Sequence, residues 1–165
     1  MFISLIDVRE FESARGAPDW VVIDCRYDLQ DAGAGFRNYL EGHIPGAQYA
    51  HLHDHLSDAP VTDHGRHPLP TPARLTQVFS GFGIAPGSQV IVYDGSGGSI
   101  AGRLWWMLQY MGHRKTAVLD GGWQAWLELG VEPETGEVHH AAAGFTGTPD
   151  PRMLVCLDEV GRMPL

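Results

Sequence analysis

The stretch "VIVYDGSGGSIAGRLWWML", Val90 to Leu108, sets an acidic residue, Asp94, at the head of a loop made of Gly95, Ser96, Gly97, Gly98 and Ser99. β-Branched and aromatic residues run into that loop, and an amphipathic helix leaves it. Successive backbone N–H groups, freed by glycine and aimed by a helix N-terminus, cradle an anion. Because a carboxylate stands at the lip, where a nucleophile would stand, Asp94 is expected to accept the loop amides itself, as a built-in anion. A second group of reactive types lies in "HLHDH" and "DHGRH": His51, His53, His55, His64 and His67. The i, i+2, i+4 spacing of the first three would set three imidazoles on one side of an extended strand, a pattern that invites metal. Loop histidines beside a Gly-Pro turn are more often solvated or bonded to backbone, so neither a metal nor another cofactor is expected. Arg66, next to His67, suits an anionic ligand or a loop carbonyl.

The elements that must position these residues follow from periodicity. Trp20–Asp24, Ala47–Ala50, Gln89–Asp94 and Ala117–Asp120 are short apolar runs closed by polar or turn residues, as in parallel strands covered on both faces. Helical patterns alternate with them over Leu5–Ala14, with Ser4 as its cap, Pro72–Ser80, Ile100–Met111 and Trp123–Leu129. The alternation predicts an α/β fold. In the third helix Ala101, Leu104, Trp105, Leu108 and Met111 make a core stripe, which leaves Trp106 and Tyr110 on a second stripe, expected under a flanking loop. Arg26–Pro70 reads as irregular, with a rigid turn at "EGHIPGA" around His43.

Composition narrows the function classes. A chain of 165 residues with 44% apolar content can bury one core. A net charge of -9 with only 11 Lys plus Arg, and no basic run, argues against nucleic acid as a partner. No apolar run reaches membrane-spanning length and the first residues lack a signal-peptide core, so a cytoplasmic location away from membranes is expected. Cys25 and Cys156 form no C-x-x-C, which fits reduced thiols, and Cys25 at a strand end reads as a core thiol.

Four motifs taken in order, "IDCRYD", "YLEGHIPGA", the Gly-rich loop after "VIVYD" and "LDGGWQAWLELG", resemble the rhodanese domain of sulfurtransferases from about Phe2 to Glu134. "RLWWML", "GRHPLP" and "LDGGWQAW" are similar to the first half of tandem-domain thiosulfate and 3-mercaptopyruvate sulfurtransferases. The resemblance implies a five-stranded parallel sheet with helices on both faces. It also implies a mechanism in which a loop cysteine takes a sulfane sulfur as a persulfide and passes it to a thiophilic acceptor. The position of that cysteine is Asp94, and no loop serine can replace a thiolate, so the chain alone is expected to be inactive. By the same resemblance His67 matches a histidine that the first domain lends to the catalytic cleft. The family's accompanying aspartate falls on His53, which favours thiosulfate-type transfer or a positional role.

The expected organisation is therefore a rhodanese domain over 1–134, a Gly, Ala, Thr and Pro-rich linker over 135–150, and the truncated start of a second rhodanese domain over 151–165. The expected partners are that missing catalytic domain, small sulfur anions in the full-length protein, and a second copy of the chain through weak self-association at the Trp106 and Tyr110 face. A free-standing binding or regulatory module on the same scaffold is the alternative. Arg26 is expected to pair with Glu41, tying the first strand to the His43 turn.

Overall fold

In a computed structural model of the chain, residues 1–60, 65–155 and 157–161 are described. Elements follow in the order β1 (Leu5–Ile6), α1 (Val8–Ala14), β2 (Trp20–Asp24), α2 (Ala34–Glu41), β3 (Gln48–Tyr49), α3 (Pro72–Gly81), β4 (Gln89–Tyr93), α4 (Ala101–Tyr110), β5 (Thr116–Leu119) and α5 (Gly122–Glu128). The five strands form one parallel sheet in the order β1-β5-β4-β2-β3. The period-two alternation of the central strands builds a core on each face. Val21, Ile23, Val90 and Val92 pack on α3 and α4, whereas Val22, Ile91 and Tyr93 pack on Phe11 of α1 and Trp126 of α5.

Three local expectations are corrected. Leu5 and Ile6 are an edge strand pairing with Val118 and Leu119, so the first helix starts later; Asp7, not Ser4, caps it by accepting from Arg9 N at 2.8 Å and Glu10 N at 3.3 Å. Arg26–Pro70 is not wholly irregular, because α2 lies within it. A Cβ at Gly35 would collide with the Arg26 carbonyl, so glycine inside α2 lets the helix lie directly on the end of β2. The His51–His55 segment is a turn, closed by His55 N donating to His51 O at 3.0 Å, rather than an extended strand.

After α5 the chain returns across the domain as a strap. His43 and Glu134 exchange backbone hydrogen bonds, Val138 N donates to the Tyr39 hydroxyl, and His140 N to Gln48 Oε1. Phe145, only 4% exposed, enters the α3–α4 core and meets Phe79 at 5.0 Å between ring centroids. Asp150 N then donates to the Tyr110 carbonyl, so this segment lies over the end of α4. Tyr110 is buried and stacks on the half-buried Trp106 at 5.2 Å and 6°. The second α4 stripe therefore lies partly under the chain's own tail.

Candidate functional site

The Asp94 loop closes the C-terminal end of β4, where open α/β sheets bind ligands. Asp94 is 2% exposed, and its carboxylate takes four backbone amides: Ser96 N at 2.8 Å and Gly98 N at 2.9 Å on Oδ1, Ile100 N and Ala101 N at 2.9 Å each on Oδ2. Gly97 and Gly98 adopt φ of 73° and 86°, the left-handed turn that aims those amides inward. The Ser96 and Ser99 hydroxyls pair with each other at 2.7 Å, and neither residue is buried. Trp123 N donates to the Asp94 carbonyl at 2.9 Å, and a Cβ at Gly122 would collide with that oxygen, so the start of α5 is seated on the loop.

Arg26 forms the second layer. Its guanidinium pairs with the fully buried Asp24, Nε lying 2.8 Å from Oδ2, and donates from Nη2 to Gly42 O at 2.6 Å. It lies 4.3 Å over the Trp123 ring, and Tyr93 donates its hydroxyl to Asp24 at 2.8 Å. The expected Arg26–Glu41 pair is absent, for Glu41 is exposed while Asp24 stands two residues away, already desolvated and pointing at the guanidinium. The tie between β2 and the His43 turn runs instead through the Gly42 carbonyl. His43 is fully buried, stacked 4.2 Å from Tyr39, with Nδ1 donating to the Tyr39 carbonyl at 2.9 Å.

Gly95 and Ser96 line a depression of about 530 Å3 together with Arg26, Tyr27, Glu41 and Trp123. His53, Arg66 and His67 line another, of about 650 Å3, and Tyr27 is common to both. The structure thus brings the loop and the histidines to adjoining hollows bridged by a tyrosine whose signal in sequence was only its place after Arg26. His53 stacks face to face on His67 at 4.9 Å and 23°, and its ring nitrogens meet the Tyr27 hydroxyl at 3.2 and 3.4 Å. Burial lowers the His67 pKa from its ordinary value, and the neighbouring His53, Arg103 and Arg66 lower it further. Its Nδ1 is buried and, among the described residues, has no hydrogen-bond partner, so no carboxylate there fixes the tautomer. Arg66 is exposed; Arg103 of α4 holds this loop by donating to Leu56 O at 2.9 Å and His67 O at 3.0 Å.

The remaining histidines diverge. His51 Nε2 meets Ala32 O at 3.1 Å, while His55 turns its edge to Phe82 at 5.2 Å. His64 and Cys156 lie outside the described residues. Among the described residues no three His, Cys, Asp or Glu side chains converge as metal ligands. Cys25 is fully buried, its thiol pushed well up by burial and then by the charges of Asp24 and Asp94, which makes it a poor nucleophile. No helix among the described residues is long and apolar enough to cross a membrane.

A rhodanese-like domain model matches residues 5–129, and the chain belongs to that family. It is 40% identical over 154 residues to a probable 3-mercaptopyruvate sulfurtransferase of Pseudomonas aeruginosa, covering 92% of this chain and 54% of the relative. It is 32% identical over 127 residues to a thiosulfate sulfurtransferase of Mus musculus, covering 76% of this chain and 41% of that one. The crystal structure of SseA from Escherichia coli, described among 3-mercaptopyruvate sulfotransferases, superposes with a TM-score of 0.86 at 28% identity over 96% of this chain and 60% of its own. The chain spans about half the length of the curated relatives it matches.

Proposed function

We propose that this chain is the N-terminal, non-catalytic rhodanese domain of a thiosulfate or 3-mercaptopyruvate sulfurtransferase and forms one wall of the substrate cleft. The observation that carries this reading is the Asp94 carboxylate, which takes four amides of the loop where the family holds its cysteine. With the cradle filled from within and Cys25 buried as a high-pKa thiol, no group among the described residues is set to form a persulfide. Sulfur transfer then belongs to a loop cysteine in a second rhodanese domain. The half-length match to the relatives and the exposed Leu154 and Val155 after residue 150 support a domain that begins there. In that protein Arg66, His53 and His67 face the sulfur anion from the first domain, His67 as a positioning group rather than a relay. A cytoplasmic setting and weak self-association of the isolated chain belong to the same reading.

The test is direct. Incubated with thiosulfate and cyanide, the chain yields no thiocyanate above a protein-free control, and Cys25→Ser changes nothing. Turnover abolished by Cys25→Ser overturns the assignment. Coding sequence past Leu165 that supplies a second rhodanese loop headed by cysteine supports it; a stop codon there favours a free-standing binding module.

A further inference from the structure

Among the described residues β3 ends the sheet, paired with β2, and its residues line a hollow of about 770 Å3. The start of α2, the outer side of α3 and the strap at Glu137–His139 form the other walls. This hollow is separate from the Asp94 loop, from which no residue reaches it.

Its floor is aromatic. Phe36 packs on Tyr49 at 5.3 Å, Phe82 meets His55 edge to face at 5.2 Å, and Val78 of α3 is buried beside them. The polar groups on that floor are already used: the Tyr49 hydroxyl donates to Arg26 O at 2.9 Å, and the Gln48 amide joins Phe82 O at 2.8 Å and His140 N at 3.1 Å. The rim carboxylates lie beside histidines, Asp54 Oδ2 3.0 Å from His51 Nδ1 and Glu137 3.4 Å from His139.

Two donors keep hydrogens to give. His55 Nδ1 accepts from His51 N at 2.9 Å, which leaves the ring proton on Nε2. Burial holds the His55 pKa below its ordinary value, with His51 and Arg74 adding to it against the opposing pull of Asp54, so the ring is a neutral donor at pH 7. Arg74 gives Nη2 to the Asp54 carbonyl at 2.8 Å and, among the described residues, lies within ion-pair range of no carboxylate. An aromatic shelf beside a guanidinium and an imidazole N–H is complementary to a ring bearing one carboxylate. The volume falls within the range of small-molecule sites.

We infer that this hollow binds a small aromatic carboxylate, its ring laid on Phe36 and Phe82 and its carboxylate taken by Arg74 and His55 Nε2. The site stands apart from the sulfurtransferase reading and survives or fails without it.

The probe is phenylacetate, titrated into 15N-labelled chain and followed by amide shifts, with 2-phenylethanol and butyrate as the neutral and ringless controls. Saturable shifts at His55, along α3 and at Val138, with Kd on the order of 1 mM or tighter, are expected. Both controls should bind at least about tenfold more weakly, as should Arg74→Gln. Gln77→Trp, at an exposed rim position of α3, should block binding while leaving the spectrum folded. Absence of saturation, shifts gathered on the Asp94 loop, controls that match phenylacetate, or an Arg74→Gln chain that binds as the parent does would each overturn the site.

Discussion

The carboxylate of Asp94 lies 2.9 Å from the amide of Ala101, the first residue of α4, so the helix start is capped by the residue that follows the strand before it. One side chain thereby satisfies donors from both the loop and the first helical turn, buried or part-buried amides that would otherwise lack a protein acceptor. Asp94→Ala should destabilise the domain by about 3 kcal/mol in urea unfolding, since four amides lose a charged acceptor. Asp94→Cys should place a thiolate in the same cradle. Its alkylation at pH 6 should far outpace that of buried Cys25, with a thiol pKa well below ~8.5; equal rates would mean that the amides give the loop no anion-stabilising field.

Arg26 and Glu41 should behave very differently on substitution. Arg26→Ala strands the fully buried Asp24 carboxylate and removes the cation over Trp123, a loss of about 3–5 kcal/mol. Glu41→Gln at its exposed position should stay within about 0.5 kcal/mol of the parent. Thermal or denaturant unfolding of the two variants checks this, and comparable losses would restore a role for Glu41.

The strap is expected to be an integral part of the fold. A chain ending at residue 134 loses Phe145 from the α3–α4 core and uncovers the end of α4, whereas one ending at residue 150 keeps both. Phe145→Ala in the full chain should cost about 3–5 kcal/mol. Proteolysis and unfolding midpoints of the two truncations measure the difference; equal stability would make residues 135–150 a passive tether.

Acidification should weaken the domain through His113. This ring is 6% exposed and meets Ser88 O at 2.9 Å; burial lowers its pKa, more than the Ser88 contact raises it, and Lys115 lowers it further. The unfolded histidine, with a pKa of about 6.5, takes up a proton before the folded one does. Stability is therefore full above about pH 6.5 and falls as the pH drops below it toward the lower folded value. Urea midpoints at about pH 7.5 and 5.5 should differ less for His113→Gln than for the parent.

Much of this was legible in the linear order of residues. Val21–Ile23 and Val90–Tyr93, within β2 and β4, are apolar at successive positions because both faces of the sheet are covered there. The anion cradle was legible for a similar reason: glycines, an acidic residue and a helix start are local, and Asp94 reaches amides only two to seven residues away. Edge strand β1 was hidden, since two residues carry no period and acquire strand character only by pairing with β5. Helix α2 was hidden too, because Gly35 within it answers to the Arg26 carbonyl and not to helix propensity. What the tertiary structure alone decided is which charges meet. Arg26, expected to pair with Glu41, pairs instead with Asp24, because burial makes an unpaired carboxylate there far costlier than an exposed one at Glu41. The stacking of His53 on His67 depends likewise on two loops, 14 residues apart, being brought together with Tyr27, a distance that no spacing rule spans.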